Sequence, residues 1–136
     1  MISGIDHVGI AVRSIEEARG LYDALGLHIT KVEEVAAEGV RVALIPCGDS
    51  RIELLEAITP ESPIARFIEK RGVGIHHICL ATSDVRSDQE LLQNSGFVLL
   101  RSEPTRGAEG CWIQFVHPKS ASGVLVELSQ RARSED

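Results

Sequence analysis

The chain has 136 residues, 43% of them hydrophobic and 25% charged, with a formal net charge of −6. That length supports one compact domain with a real core and is too short for two of ordinary size. The acidic balance excludes a phosphate-backbone binder, and one Trp, one Tyr and three Phe exclude an aromatic stacking platform.

The opening residues 1–6 lack the basic stretch and apolar run of a secretory signal. No apolar run approaches the roughly 20 residues that span a bilayer, so a cytoplasmic location is expected. Cys47, Cys79 and Cys111 are odd in number and widely spaced. They are expected to be free, buried thiols in a reducing compartment.

In chain order, residues 5–12 alternate apolar and polar as a half-buried strand does. Ser14 then stands as an N-cap with Glu17 three residues on, a capping box opening a helix that runs to Leu25 and ends at Gly26. Apolar runs at 27–32, 40–45 and 51–55 read as three further strands. Residues 60–72 form a turn and a linker containing a short helix at 63–70. A strand follows at 75–82, and Ser83 or Asp84 caps a helix that ends before Gly96. Strands are then expected at 97–100, 111–116 and 125–128, with a Gly/Ser/Thr-rich loop at 102–110 and a frayed polar tail at 131–136.

The two halves of this list are the same list. His7 falls on His77 and Gly26 on Gly96, both 70 residues apart, while Glu53 falls on Glu127, 74 apart. The four extra residues are absorbed by the 102–110 loop. The chain is therefore read as one α+β domain over residues 1–130. It comprises two tandem βαβββ units with pseudo-twofold symmetry, forming an open, cup-shaped mixed sheet. The first repeat spans about 4–57 and the second about 74–130, joined by the 60–72 linker helix segment.

Matched residues on matched strands of such a repeat face a common centre. His7 and His77 form one matched pair, Glu53 and Glu127 the other. Each glutamate sits inside an apolar strand, where an ionised carboxylate is costly unless paired or bound to a metal. One His or Glu alone on a strand is ordinarily a satisfied core or surface residue. Four at symmetric positions point instead to a divalent-metal site, with positions left open for water or substrate.

These residues resemble the vicinal oxygen chelate superfamily of glyoxalases, bleomycin-resistance proteins and dioxygenases. The stretch Ile5-Asp6-His7-Val8-Gly9-Ile10-Ala11-Val12 is shared widely across it. Within the superfamily the chain is similar to the methylmalonyl-CoA epimerases. The stretches that carry this likeness are residues 52–56, 62–67, 74–78, His117-Pro118-Lys119 and 123–128. The resemblance implies metal-dependent epimerisation of (R)- and (S)-methylmalonyl-CoA, by α-proton abstraction and reprotonation through a metal-stabilised enolate. It implies that the second histidine of His76-His77 is the ligand and that Glu53 occupies a position held by Gln or Glu in the family. His76 then faces the other side of its strand.

One divalent ion per chain is expected, Co²⁺ or Mn²⁺ first, with Ni²⁺, Zn²⁺ or Fe²⁺ open. The chain departs from the family at Val42, where some bacterial epimerases carry a glutamate assigned as a base. That departure leaves the base open; with no other symmetric carboxylate pair in the sequence, one or both of Glu53 and Glu127 are expected to loosen from the metal and shuttle the proton. Glu38 and Glu109, in matching loops, are weaker candidates that read first as solvated turn residues; Arg106 and Lys119 are candidates to meet the CoA phosphates or the substrate carboxylate, with solvation the commoner role, and His28 and His117 carry no role. Competing readings are a glyoxalase I-type isomerase, a two-histidine–one-carboxylate iron site, and a metal-free small-molecule-binding resistance module of the same fold. Exposed sheet edges make a homodimer the expected assembly.

Overall fold

The computed structural model of the protein describes residues 1–132, so the last four residues of the expected polar tail lie outside it. The chain divides into two compact units: His7–His76, and the residues from His77 onward together with Met1–Asp6. The architecture is α+β, and each unit is built on one helix-covered mixed sheet.

In the first unit the strands run in the order β2 (Lys31–Val35), β3 (Val40–Cys47), β4 (Ser50–Ala57) and β1 (Ile2–Ala11). β1 belongs to this unit from His7 on. β4 pairs antiparallel with β3 and parallel with β1, placing Glu53 opposite both Leu44 and Gly9. Helix α1 (Ile15–Ala24) lies on the other side, where Val12, Ile15, Ala43, Ile45 and Leu54 form a core cluster with Tyr22, Leu27 and Ile29 packed against it. Burying each large aliphatic side chain of that cluster stabilises the unit by about 1.5–3 kcal/mol. Helix α2 (Pro63–Arg71) follows, capped by Ser62, whose hydroxyl accepts from Ala65 N at 3.2 Å.

In the second unit the order is β1, β5 (Gly74–Thr82), β8 (Val126–Gln130), β7 (Trp112–Val116) and β6 (Thr105–Arg106). β8 pairs parallel with β5 and antiparallel with β7, placing Glu127 opposite both Cys79 and Phe115. The register of Glu53 is thus repeated 74 residues later, but the partners Leu44 and Phe115 are 71 apart, so three of the four extra residues lie in the β7–β8 connection and not, as expected, in the 102–110 loop.

The helix starts repeat as well. Ser14 caps α1 by accepting from Glu17 N at 3.2 Å, and Asp84, not Ser83, caps α3 (Val85–Asn94) by accepting from Ser87 N at 3.1 Å. The first amide of each helix reaches back to the last polar residue of the neighbouring parallel strand. Ile15 N donates to Glu56 Oε1 at 2.8 Å, and Val85 N donates to Gln130 Oε1 at 2.9 Å. These bonds satisfy amides that a helix leaves unpaired and fix the angle at which it crosses the sheet. Gly26 and Gly96 end the helices at φ 82° and 86°, in the left-handed region that a side chain resists.

Three expectations need correction. The strand expected at 27–32 begins only at Lys31, because Leu27 and Ile29 turn toward the α1 core instead of extending the ladder. The strand expected at 97–100 is reduced to a single bridge between Leu99 and Val116. The outer strand of the second unit is β6 instead, only two residues long, preceded by Pro104, which has no amide to donate to a ladder. Cys79 and Cys111 are buried as expected, but Cys47 is exposed, because β3 ends there and turns into β4.

Candidate functional site

Residues opposite one another on paired strands present their side chains to one face. In the first unit the parallel pairing sets His7 opposite Arg51 and Gly9 opposite Glu53. His7, Arg51 and Glu53 therefore share a face, away from the α1 core. His7 Nδ1 lies 3.2 Å from Glu53 Oε2, and Arg51 Nε donates to the same oxygen at 3.0 Å. The glutamate is 3% exposed and the histidine 5%. A carboxylate that far from water is held as an ion only by partners of this kind.

The second unit repeats the pair. His77 and Cys79 share a face with Glu127, and His77 Nε2 lies 2.9 Å from Glu127 Oε1. Both residues are buried. The Phe115 ring meets His77 edge-on at 6.2 Å between centroids, and the Arg101 guanidinium lies 4.9 Å over the same phenyl ring.

A divalent ion with ligand bonds of about 2.1 Å sets neighbouring octahedral donors about 3.0 Å apart. The nitrogen–oxygen separations of both pairs, 3.2 Å and 2.9 Å, fit that spacing. The imidazole and carboxylate donors also suit a first-row divalent metal.

The structure thus brings His7 to Glu53 and His77 to Glu127. His76 points elsewhere, its ring edge-on to Phe67 of α2 at 5.0 Å. Val42 lies two residues before Leu44, the partner of Glu53, so the position on that face where some bacterial epimerases carry a glutamate is apolar. Glu38 and Glu109 lie in short 3₁₀ turns. His117 caps such a turn, its Nδ1 accepting from Lys119 N at 3.0 Å, and His28 pairs with Asp23 at 3.0 Å. Arg106 is not simply solvated as the sequence suggests. Its guanidinium lies 3.8 Å over the Trp112 ring and donates to Gly110 O at 2.6 Å, because the register pairs Arg106 directly with Trp112.

The sequence reading gives Arg51 no place in the site. The signal was present in the spacing: two residues apart on a strand is one face, so an Arg-x-Glu strand puts a cation beside its carboxylate. An apolar hollow of about 280 Å³ in the second unit is lined by Leu80, Leu92, Phe97, Val116 and Leu128. Leu80, Val116 and Leu128 lie on the face of their strands opposite His77 and Glu127, and Leu92 belongs to α3, so the hollow is no part of this site.

Residues 6–115 match the family model of the Glyoxalase/Bleomycin resistance protein/Dioxygenase superfamily. The ethylmalonyl-CoA/methylmalonyl-CoA epimerase of Cereibacter sphaeroides is 40% identical, over 96% of this chain and 99% of its own. The crystal structure of methylmalonyl-CoA epimerase from Mycobacterium tuberculosis superposes with a TM-score of 0.93 at 36% identity, covering 98% of this chain and 91% of that one. A Streptomyces coelicolor methylmalonyl-CoA epimerase variant, in complex with 2-nitronate-propionyl-CoA, superposes at 0.91 with 34% identity, covering 98% of this chain and 100% of that one.

Proposed function

Because the chain belongs to the glyoxalase/bleomycin-resistance/dioxygenase superfamily, and within it to the methylmalonyl-CoA epimerases, we propose that it interconverts the (R) and (S) forms of methylmalonyl-CoA. The observation that carries the reading is the pair of buried His–Glu couples at matched register positions. In this reading His7, Glu53, His77 and Glu127 together hold one divalent ion, Co²⁺ or Mn²⁺. When bound, that ion supplies Lewis-acid stabilisation of negative charge on the thioester oxygen, worth several kcal/mol.

The chain's own residues then have one task, to move a proton. The reacting carbon lies between a thioester and a carboxylate, and its proton leaves to a base on one face and is replaced from the other. Glu53 and Glu127 are the carboxylates of the matched pairs, and a positioned carboxylate contributes a factor of about 10² to 10⁴. We assign them as the two acid–base groups. The apolar Val42 on the face of Glu53 helps to exclude water from it. The reading needs neither a redox step nor an organic cofactor. It includes a homodimer acting in the cytoplasm, the first part checked by light scattering on the purified protein.

The test is metal stripping, addition of Co²⁺ or Mn²⁺, and NMR of the α-proton of methylmalonyl-CoA in D₂O. Metal-dependent exchange with loss of stereochemistry supports the reading. Metal binding without exchange removes the substrate and keeps the site. Ethylmalonyl-CoA belongs in the same assay, since the Cereibacter relative carries both substrates in its name.

A further inference from the structure

The two halves repeat the histidine and the glutamate but not the residue two positions before the glutamate. In the first unit this is Arg51; its counterpart before Glu127 is Leu125. The guanidinium is an expensive group to place there. The Arg51 side chain is only 20% exposed, and burying a cation is unfavourable unless a partner compensates it. Its Nε donates at 3.0 Å to Oε2 of Glu53, an oxygen that also faces His7 Nδ1 at 3.2 Å.

From this we infer that Arg51 is a positioning residue for Glu53. It grips Oε2, the oxygen that faces His7 Nδ1, and so fixes the orientation in which the carboxylate meets the ion. The inference rests on the metal reading above and extends it. A carboxylate bonded through one oxygen to a guanidinium N–H cannot rotate freely about its last torsion, so the ion meets a carboxylate already turned toward His7. Partners of this kind behind a ligand are worth about 10- to 100-fold in metal affinity. Arginine suits the place better than lysine, because its planar N–H groups fix direction while an ammonium acts as a point charge.

The experiment is Co²⁺ binding to the purified, metal-stripped full chain, followed by competition with a chromogenic chelator. It compares wild type, Arg51→Leu, Arg51→Lys, Glu53→Gln and the Arg51→Leu/Glu53→Gln double variant. Arg51→Leu is expected to weaken binding 10- to 100-fold at unchanged stoichiometry, with Arg51→Lys in between. In the Glu53→Gln background, Arg51→Leu is expected to change affinity less than threefold, because the group it positions is already altered.

Equal affinity of wild type and Arg51→Leu overturns the inference, as does an equal loss in both backgrounds, which would mark a general structural defect. Circular dichroism of the stripped proteins establishes that each variant is folded. If Arg51→Leu is not, Arg51→Lys decides: a threefold or larger weakening supports the role, and wild-type affinity overturns it. Absence of Co²⁺ binding by wild type itself sinks the metal reading and this inference with it. Normal wild-type binding with an indifferent Arg51 sinks the inference alone.

Discussion

Replacing Glu127 with glutamine separates chemistry from structure in a single residue. The amide has the shape of the carboxylate, and turning its carbonyl oxygen toward His77 preserves a hydrogen bond at the observed 2.9 Å. What changes is that a charge-assisted bond becomes a neutral one, at a cost of about 1 kcal/mol. In a chain of this length that lowers the melting temperature by about 3–5 °C. A domain stable by about 5–15 kcal/mol stays folded at 25 °C after such a loss. The proton acceptor, by contrast, is removed outright, and the interconversion rate should fall about 10²- to 10⁴-fold, equivalent to about 3–5 kcal/mol of barrier. The assay is the rate of stereochemical interconversion by NMR, with bound metal quantified on the same samples. Glu53 remains in this variant, so deuterium entry from one face of the substrate should outlast the interconversion. A fall of less than tenfold at full metal occupancy would refute the assignment of Glu127 as an acid–base group.

Other positions test the scaffold. Gly39 has φ 65°, and a Cβ there would lie 2.9 Å from Ser62 Cβ at the start of α2. Gly39→Ala should therefore cost about 2–4 kcal/mol, read from the urea midpoint, while a change below 1 kcal/mol would mean the turn adapts. Gln114 is fully buried, with Nε2 donating to Gln89 Oε1 at 2.6 Å and Arg101 O at 2.9 Å, and Oε1 accepting from Phe115 N at 2.9 Å. Gln114→Leu fills the same space but removes these partners, and should destabilise by about 2–4 kcal/mol in the same titration. Asp23 accepts from His28 and from Arg19, and these bonds hold its carboxyl below the ordinary carboxylate value. A lowered native pKa means that this contribution is present above about pH 4 and lost as pH falls through the native value. Asp23→Asn should therefore flatten the acid limb of the stability curve; an unchanged limb would count against the linkage.

How much of this was legible in the sequence depends on the range of the interaction involved. His7, His77, Glu53 and Glu127 stand out because a repeat with strand periodicity assigns faces without coordinates. Ser14 is legible because a cap acts over three residues, while adjacent Ser83 and Asp84 both satisfy that spacing rule and only the structure selects Asp84. The reach of Ile15 N to Glu56 and of Val85 N to Gln130 crosses 41 and 45 residues, and no local pattern announces it. The outer strand expected at 97–100 is interrupted: residues 98–100 bond to 115–117 of β7 and residues 105–106 to 112–113, so one edge is shared by two segments that no apolar period reveals. Arg106 shows the same limit, since its place on Trp112 follows from register and not from composition. Arg51 differs from these, because its i, i+2 relation to Glu53 was readable and a charged residue beside a candidate ligand on one strand face merits a role before it is set aside.

The places where the repeat fails are as informative as those where it holds. Ala43 in the first core corresponds to the fully buried Gln114 in the second, and Leu125 replaces Arg51 beside the glutamate. In the first unit the core is apolar and the site face carries the extra cation. In the second the core carries a hydrogen-bonded amide network, and Phe115 with Arg101 above it stands on the site face. A reaction that takes a proton from one side of a carbon and returns it to the other asks two carboxylates for the same chemistry. It does not ask them for the same mobility. If Arg51 pins Glu53 while Glu127 sits against His77 and a phenyl ring, the two proton transfers should respond unequally to substitution. Arg51→Leu should then alter exchange on one face of the substrate more than on the other, a ratio that a uniformly weakened metal site would leave unchanged.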